Sequence, residues 1–418
     1  MRSFANLFLI LFIADGGFSL VDELVILLTR LMPFTALREL LASSVILLAI
    51  PLYVILGIDR RLPKRVFLPL ILFALLCPFS TWLFPALADL KTYGLIVSIM
   101  QVLLGMLPLR YFRQGEERCV TMPPELFAGP FFSLRNTLLY SAASLVVVPM
   151  MLILVVLTTV DAYMAEGTSG FMRLGPDGLH MSERVYRRNN QTVRLSGMIH
   201  VGDRDYYNQL ANSIAPGRML ILAEGVSDTG QKLTNKIDYG KVAGILGLTS
   251  QQEMRFRGRL IDAKDLDKPL SKSTGDVRQA VPDILRADVD LKDFRSPTLL
   301  FLDAFGKHLQ ESRSFIQGIL ALNAWGEKNI TPAMYEIIMD DILHRRNMTV
   351  VRHLDKALVR YDTLLVPWGA LHMKEIEAEV LKRGFILQEK RERTSIDFLK
   401  MLQGKKVGGN AVTSKRNG

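Results

Sequence analysis

Apolar residues fall into two regimes along the chain. As far as residue 162 they form long uninterrupted runs; beyond it they recur with the short periods of strands and amphipathic helices. Four runs have the length that a hydrocarbon core demands: Leu41–Gly57, Val66–Leu87, Tyr93–Leu109 and Thr137–Val160. Pro51, Pro78, Pro85 and Pro149 within them are compatible with packed membrane helices. The start of the chain is ambiguous. Phe4–Ile13 is apolar, Asp15-Gly16-Gly17 interrupts it, and Phe18–Met32 carries Asp22, Glu23 and Arg30 among aliphatics. It reads as a broken span, a helix in the bilayer interface or a signal-like segment, and no small-x-small cleavage site follows it.

After a linker at residues 163–170, the segment 171–400 reads as an α/β domain. Phe171–Leu174 and Leu179–Arg187 flank the turn signal Gly175-Pro176-Asp177-Gly178 and predict a hairpin. A strand from Gln191 leads into Gly197-Met198-Ile199-His200, a helix covers Asp203–Ile214, and a buried strand, Arg218–Gly225, ends on Glu224. In a parallel arrangement His200 and Glu224 then share one edge of the sheet. Gly240–Leu248 and Ser250–Phe256 read as helical, and the stretch to about Arg278 as loop. Val281–Arg286, Pro297–Ala304 and Ser314–Leu322 carry helix-like patterns. Thr331-Pro332 opens a long helix to about Leu358. The last unit repeats the first: strand Thr363–Trp368, turn Gly369-Ala370-Leu371-His372, helix Lys374–Arg383, strand Phe385–Glu389. Two similar strand–Gly-x-x-His–helix–strand halves are expected to meet at one site, and the glycine- and lysine-rich tail 401–418 to be disordered.

The net charge of +10 would suggest nucleic acid in a soluble protein, but many of the basic residues flank apolar spans. Arg60, Arg61, Lys64 and Arg65 crowd one loop; Arg110, Arg113, Arg118 and Arg135 mark another. The positive-inside rule makes those loops cytoplasmic and puts the polar domain on the outer face, although Arg30 and Arg38 argue the other way. No pattern for nucleic-acid binding is present; the bilayer is the expected partner. Cys77 and Cys119 are the two cysteines, so the polar domain has neither a disulfide framework nor a thiol nucleophile.

All six histidines follow the membrane half. Two of them, His200 and His372, end Gly-x-x-His motifs at strand-to-helix junctions. With Glu224 they form a set suited to a divalent transition metal such as manganese or cobalt, with positions open for water. Gly197 and Gly369 are expected to turn the backbone sharply and allow close approach. Glu224 is either the third ligand or the base for the attacking water. Asp203 either orients an imidazole or caps the next helix. Arg346 and Asn347 bind a substrate carboxylate or oxyanion, or else lie on a solvated helix face.

Gly197-Met198-Ile199-His200, Leu222-Ala223-Glu224, Arg346-Asn347 and Val366-Pro367-Trp368-Gly369-Ala370-Leu371-His372 resemble, in this order, the motifs of the TraB/TIKI family, which belongs to a wider superfamily with EreA- and ChaN-like proteins. The ending Leu381-Lys382-Arg383-Gly384-Phe385 is also similar. The resemblance spans Phe171 to Leu399 and leaves the membrane half outside it. It implies an α/β fold of two similar halves and divalent-metal dependence like that of the TIKI proteases, which act outside the cell on proteins. His200, Glu224 and His372 become the core of the site, supported by Gly197, Gly369 and Arg346. The expected function is a membrane-anchored, metal-dependent hydrolase acting on a peptide or small-molecule ester. The alternative is a non-catalytic binder of a peptide or small ligand. A transporter built from the four spans ranks behind both, because no charge lies deep within them.

Overall fold

The computed structural model describes residues 1–32, 34–214, 219–235, 240, 243, 248–251, 256–267, 281–312 and 314–403. Arg218, most of the helices expected at 240–256, the loop to Arg278 beyond Asp267, and the tail from Gly404 lie outside the described residues. Contacts divide the chain into two units, Met1–Thr159 and Val160–Gly418.

Unit 1 is helical. Helix α1 covers Arg2–Thr29, α2 Thr35–Ile58, α3 Lys64–Leu76 and α4 Tyr93–Gly105; α5 runs from Leu134 to Gly167 and leaves the unit at its last turns. Among the described residues, five helical stretches are long and apolar enough to cross a membrane: 2–29, 35–58, 64–83, 93–111 and 134–167. This marks a membrane-associated protein. The ambiguous start of the chain is therefore one continuous helix: Gly16 and Gly17 do not break it, and Gly16 lies close against Gln101 of α4. Phe8, Phe12, Leu52, Leu56, Phe67 and Leu70 are buried at the centre of the unit. Gly57 admits the Tyr140 ring, and Asn136 and Thr137 donate to the Gly57 carbonyl at 2.8 and 3.0 Å. The expected linker is helical as far as Gly167.

Among the described residues, unit 2 is built on an eight-stranded mixed sheet. In chain order its strands are β1 (Met172–Leu174), β2 (Gly178–Arg188), β3 (Gln191–Met198), β4 (Met219–Ala223), β5 (Arg259–Ile261), β6 (Asp283–Arg286), β7 (Thr363–Gly369) and β8 (Ile386–Asp397). They lie in the order β8-β2-β3-β7-β4-β6-β5, with β1 beside β2. From β3 to β5 neighbours are parallel; β1, β2 and β8 form an antiparallel extension. Residues 283–286, expected to be helical, form a strand: four residues flanked by Pro282 and a turn suit a short parallel strand, and periodicity alone does not separate that from a helix turn.

Strand β7 occupies the middle. Leu364, Leu365, Val366 and Trp368 are all fully buried, the continuous apolar run of a parallel strand covered on both faces. Pro367 is tolerated there for a definite reason. The ladder to β4 ends at Leu365, so the amide that Pro367 lacks falls beyond the last pair on that side. The next amide on the same side, that of Gly369, donates to the Glu224 carboxylate instead. The two strand–helix–strand passages differ. β3, α6 (Arg204–Asn212) and β4 form a parallel unit with β7 inserted between its strands; β7, α11 (Ala370–Lys382) and β8 end in a strand antiparallel to β2.

Between β6 and β7 come α7 (Ser296–Glu311), α8 (Phe315–Asn329), α9 (Pro332–Met339) and α10 (Arg345–Leu358). The helix expected from Pro332 to Leu358 is present, capped at its start by the Thr331 hydroxyl, with a π-helical turn at Asp340–His344. Asp341 in that turn is fully buried and accepts from the Arg295 backbone and side chain, the Arg345 side chain and the Thr298 hydroxyl. Burial pushes its carboxyl up, but these donors outweigh burial and hold it at about 2.

Candidate functional site

The C-terminal ends of the parallel strands collect the site on one edge of the sheet, where open α/β sheets place their ligands. β3 leads to His200, β4 to Glu224, β6 to Asp288, and β7 to Gly369 and the first turn of α11, which carries His372. Arg346 and Asn347 come from the first turn of α10. They fall on the same stripe as Val350, Val351, Leu354 and Leu358, which is why a helix face that packs on the sheet carries them inward.

Arg346 is the hub. Its Nε and Nη2 donate to the two oxygens of Asp288 at 3.0 and 2.8 Å, the fork-to-fork pairing that fixes a guanidinium in plane. Nη2 also donates to Glu224 Oε1 at 2.7 Å, and Nη1 reaches His372 Nε2 at 3.2 Å. The Asp288 side chain is wholly shielded and that of Glu224 is 4% exposed, so these are desolvated charges whose pairing is obligatory. The guanidinium also lies 5.4 Å from the centre of the Trp368 ring.

The hydrogen bonds settle the state of His372. Asn347 Nδ2 donates to Glu375 Oε2 at 2.8 Å, which turns Asn347 Oδ1 toward His372 Nδ1, also 2.8 Å away. Nδ1 therefore carries the proton, and Nε2 offers its lone pair to Arg346. Burial first, and the adjacent Arg346 second, push the imidazole down to about 4, so it is neutral at pH 7. For Glu224, burial would raise the carboxyl, but Arg346 and the Gly369 amide at 2.7 Å prevail and hold it low. His372 Nε2 and Glu224 Oε1 lie 3.6 Å apart, both deprotonated, with their far sides fixed by Asn347 and Gly369.

The other expected residues are placed differently. His200 is at the same sheet edge but exposed, with Nδ1 2.8 Å from the Gln251 side-chain oxygen, and it acts electrostatically on both Glu224 and His372. Among those residues, no three His, Cys, Asp or Glu side chains converge in metal-binding geometry. Asp203 precedes α6 but makes no side-chain cap; its carboxylate accepts from the Asp397 amide at 2.9 Å and ties down the end of β8. Asn347 is buried, with its side-chain oxygen on His372 Nδ1 and its side-chain nitrogen on Glu375. Neither motif glycine makes a left-handed turn. Gly197 lies within β3 against Phe171, where a Cβ would be tightly crowded, and Gly369 ends β7 at φ −50°. The left-handed position is Gly225, at φ 154°, directly after Glu224, where its amide donates to Asp288. Asp288 itself was missed; its signal was an aspartate just beyond a short apolar run mistaken for a helix.

Tyr206 of α6 supports the first motif by donating to the Gly197 carbonyl at 3.0 Å. Tyr206→Phe is expected to cost unit 2 about 1 kcal/mol, the net worth of one buried hydrogen bond, with the site otherwise intact. Thermal unfolding of the full chain beside that variant checks it.

Comparison with known proteins yields no family model, no curated protein and no solved structure that matches this chain.

Proposed function

We propose that unit 2 is a hydrolase of the TraB/TIKI kind, tethered to the bilayer by unit 1, acting on a peptide or ester through a divalent transition metal held by His372 and Glu224. The observation that carries this reading is the 3.6 Å spacing of His372 Nε2 and Glu224 Oε1, both fixed from behind. Two donors about 2.1 Å from a tetrahedral ion stand about 3.4 Å apart, so the pair fits as a chelate. Ligands must also be free of protons, and the environment that makes His372 and Glu224 poor bases keeps both unprotonated at neutral pH; an ion would take over from Arg346 the lone pairs that the guanidinium engages here. His200, on the same edge and one strand over from β7, is the proposed third donor, so that the two strand–Gly-x-x-His–helix passages serve one site.

A bound ion would supply Lewis acidity toward a carbonyl and acidify water at neutral pH. The chain's own residues do the rest. Asn347 fixes the tautomer of His372, Gly369 orients Glu224, and Asp288 anchors Arg346. Arg346 Nη1, which faces His372 in this arrangement, is the group placed to hold a substrate oxygen. The basic loops after α2 and α4 favour an outer-face location for unit 2. The weak basicity of both groups favours one other reading, a non-catalytic binder that uses the same metal site.

Elemental analysis of the full chain in nanodiscs, after chelation and reloading with Mn(II) or Co(II), tests the proposal. About one ion per chain is expected in the wild type, loss of it in His372→Ala, and an affinity about 10–100-fold weaker in Asn347→Leu, which removes the partner that orients the ligand. Equal metal content in wild type and His372→Ala would refute the metal site. Digestion of a peptide library by the loaded protein separates hydrolase from binder.

A further inference from the structure

The continuous α1 brings charged residues into the membrane unit where the four clear runs have none. Asp15, at the centre of this 28-residue helix, is buried, as are Ser19 and Asp22; with Phe8 and Phe12 they form one stripe at helical spacing. The apolar half of the stripe packs into the core. The polar half faces α4, whose buried residues are Ser98, Gln101 and Gly105.

Three close approaches fix the register of the two helices. Gly105 admits Ile13, Gly16 admits Gln101, and Gly94 admits the Glu23 carboxylate. The helices run antiparallel, and the same register sets Ser19 opposite Ser98. A line of polar groups therefore follows the α1–α4 seam from Asp15 and Gln101, past Ser19 and Ser98, to Asp22 and Glu23. By helix rise it is about 10 Å long. At its outer end Arg38 of α2 pairs with Glu23 and lies 3.5 Å from Asp22.

The seam is incompletely paired. Gln101 Nε2 donates to Asp15 Oδ2 at 2.7 Å and to the Phe12 carbonyl at 3.2 Å, but Asp15 Oδ1 and both Asp22 oxygens accept no hydrogen bond among the described residues. A carboxyl at mid-span, neutral with a proton and a buried charge without one, responds to proton supply unless a cation is fixed beside it. The acids and bases on the helices packed against α1 are Arg38, Glu39 and Tyr53 on α2, Lys64 and Arg65 in the first turn of α3, which meets α1 where Phe73 packs on Phe12, and Tyr93 on α4; Arg38 is the cation among them that contacts the acids of the seam.

We propose that Asp15 is a proton-binding site of the membrane unit, reached from the Arg38 end through the α1–α4 seam. This is independent of the chemistry of unit 2.

The test is labelling of the full chain in nanodiscs with dicyclohexylcarbodiimide across the neutral pH range, read by peptide mass. The reagent takes the carboxyl proton on nitrogen as the carboxylate oxygen adds to its carbon, and the rearranged N-acylurea keeps the whole reagent mass, so only the protonated acid reacts. Asp15 is expected to label, less as pH rises. Arg38→Gln removes the nearest cation and is expected to move that decline to higher pH, and Asp15→Glu to keep the reaction. Labelling absent from Asp15, equal at every pH, or unmoved by Arg38→Gln would overturn the proposal and leave Asp15 a packing partner of Gln101. Protection by Na⁺ at constant pH would also overturn it, in favour of a metal cation.

Discussion

Arg346→Ala is expected to destabilise unit 2 by about 3–5 kcal/mol, because it strands the buried carboxylates of Asp288 and Glu224 without their shared cation. For a unit of this size that lowers the unfolding temperature by on the order of 10 °C. The sign of the pH dependence is specific. In the variant the two carboxyls resist ionisation, so the deficit is greatest at neutral pH and shrinks as acid protonates them. A divalent ion should partly replace the lost charge. Saturating Mn(II) is therefore expected to stabilise Arg346→Ala more than the wild type, by scanning fluorimetry of the full chain in nanodiscs. If metal stabilises both equally, the guanidinium and the ion do not compete for the same electrostatic position.

The second large effect concerns His372. In the unfolded chain an imidazole takes up its proton near pH 6.5; in the folded unit it does so near pH 4. Between those values the unfolded state binds more protons, so stability falls as the pH is lowered. The shift corresponds to roughly 3 kcal/mol lost from pH 7 to pH 4. Amide exchange of β7, measured with chelator present, reports it: protection should decline through this window in the wild type and stay flatter in His372→Gln. The buried carboxylate Asp341 contributes on the opposite side. It is held at about 2, so its stabilisation is complete above its unfolded value and disappears only as the pH falls through about 2. It leaves the His372 window clean. A wild type whose protection is level from pH 7 to pH 4 would mean that the imidazole is not buried in neutral form.

Much of this was legible in the sequence. The spans were set by length and hydropathy. Strands β1 to β4 were set by alternation and apolar runs, β7 by its all-apolar run, and the long helix by Thr331-Pro332, whereas strand β5, Arg259–Ile261, lies in a stretch expected to be loop. What escaped depended on tertiary context. Residues 283–286 are too few for periodicity to separate strand from helix, and with them went Asp288, the anchor of Arg346. The insertion of β7 between β3 and β4 is a matter of topology that local pattern does not encode. Gly369 and Gly197 looked like turn residues; packing against Phe171 accounts for Gly197, and the left-handed backbone belongs to Gly225. Arg346 and Asn347 were visible as a pair, and their place on the Val350–Leu354 stripe was the overlooked sign that they point inward. Asp15-Gly16-Gly17 read as a break because charge and glycine are disfavoured in an isolated span. Against α4, Asp15 and Gly16 become the contact itself.

The central claim is that His372 and Glu224 act together on one metal ion. Co(II) titration of the full chain in nanodiscs, followed by visible absorption, tests it most directly. Ligand-field bands saturating at about one ion per chain are predicted for the wild type and for Tyr206→Phe, and their loss in both His372→Ala and Glu224→Gln. Identical spectra in all four proteins would contradict the account.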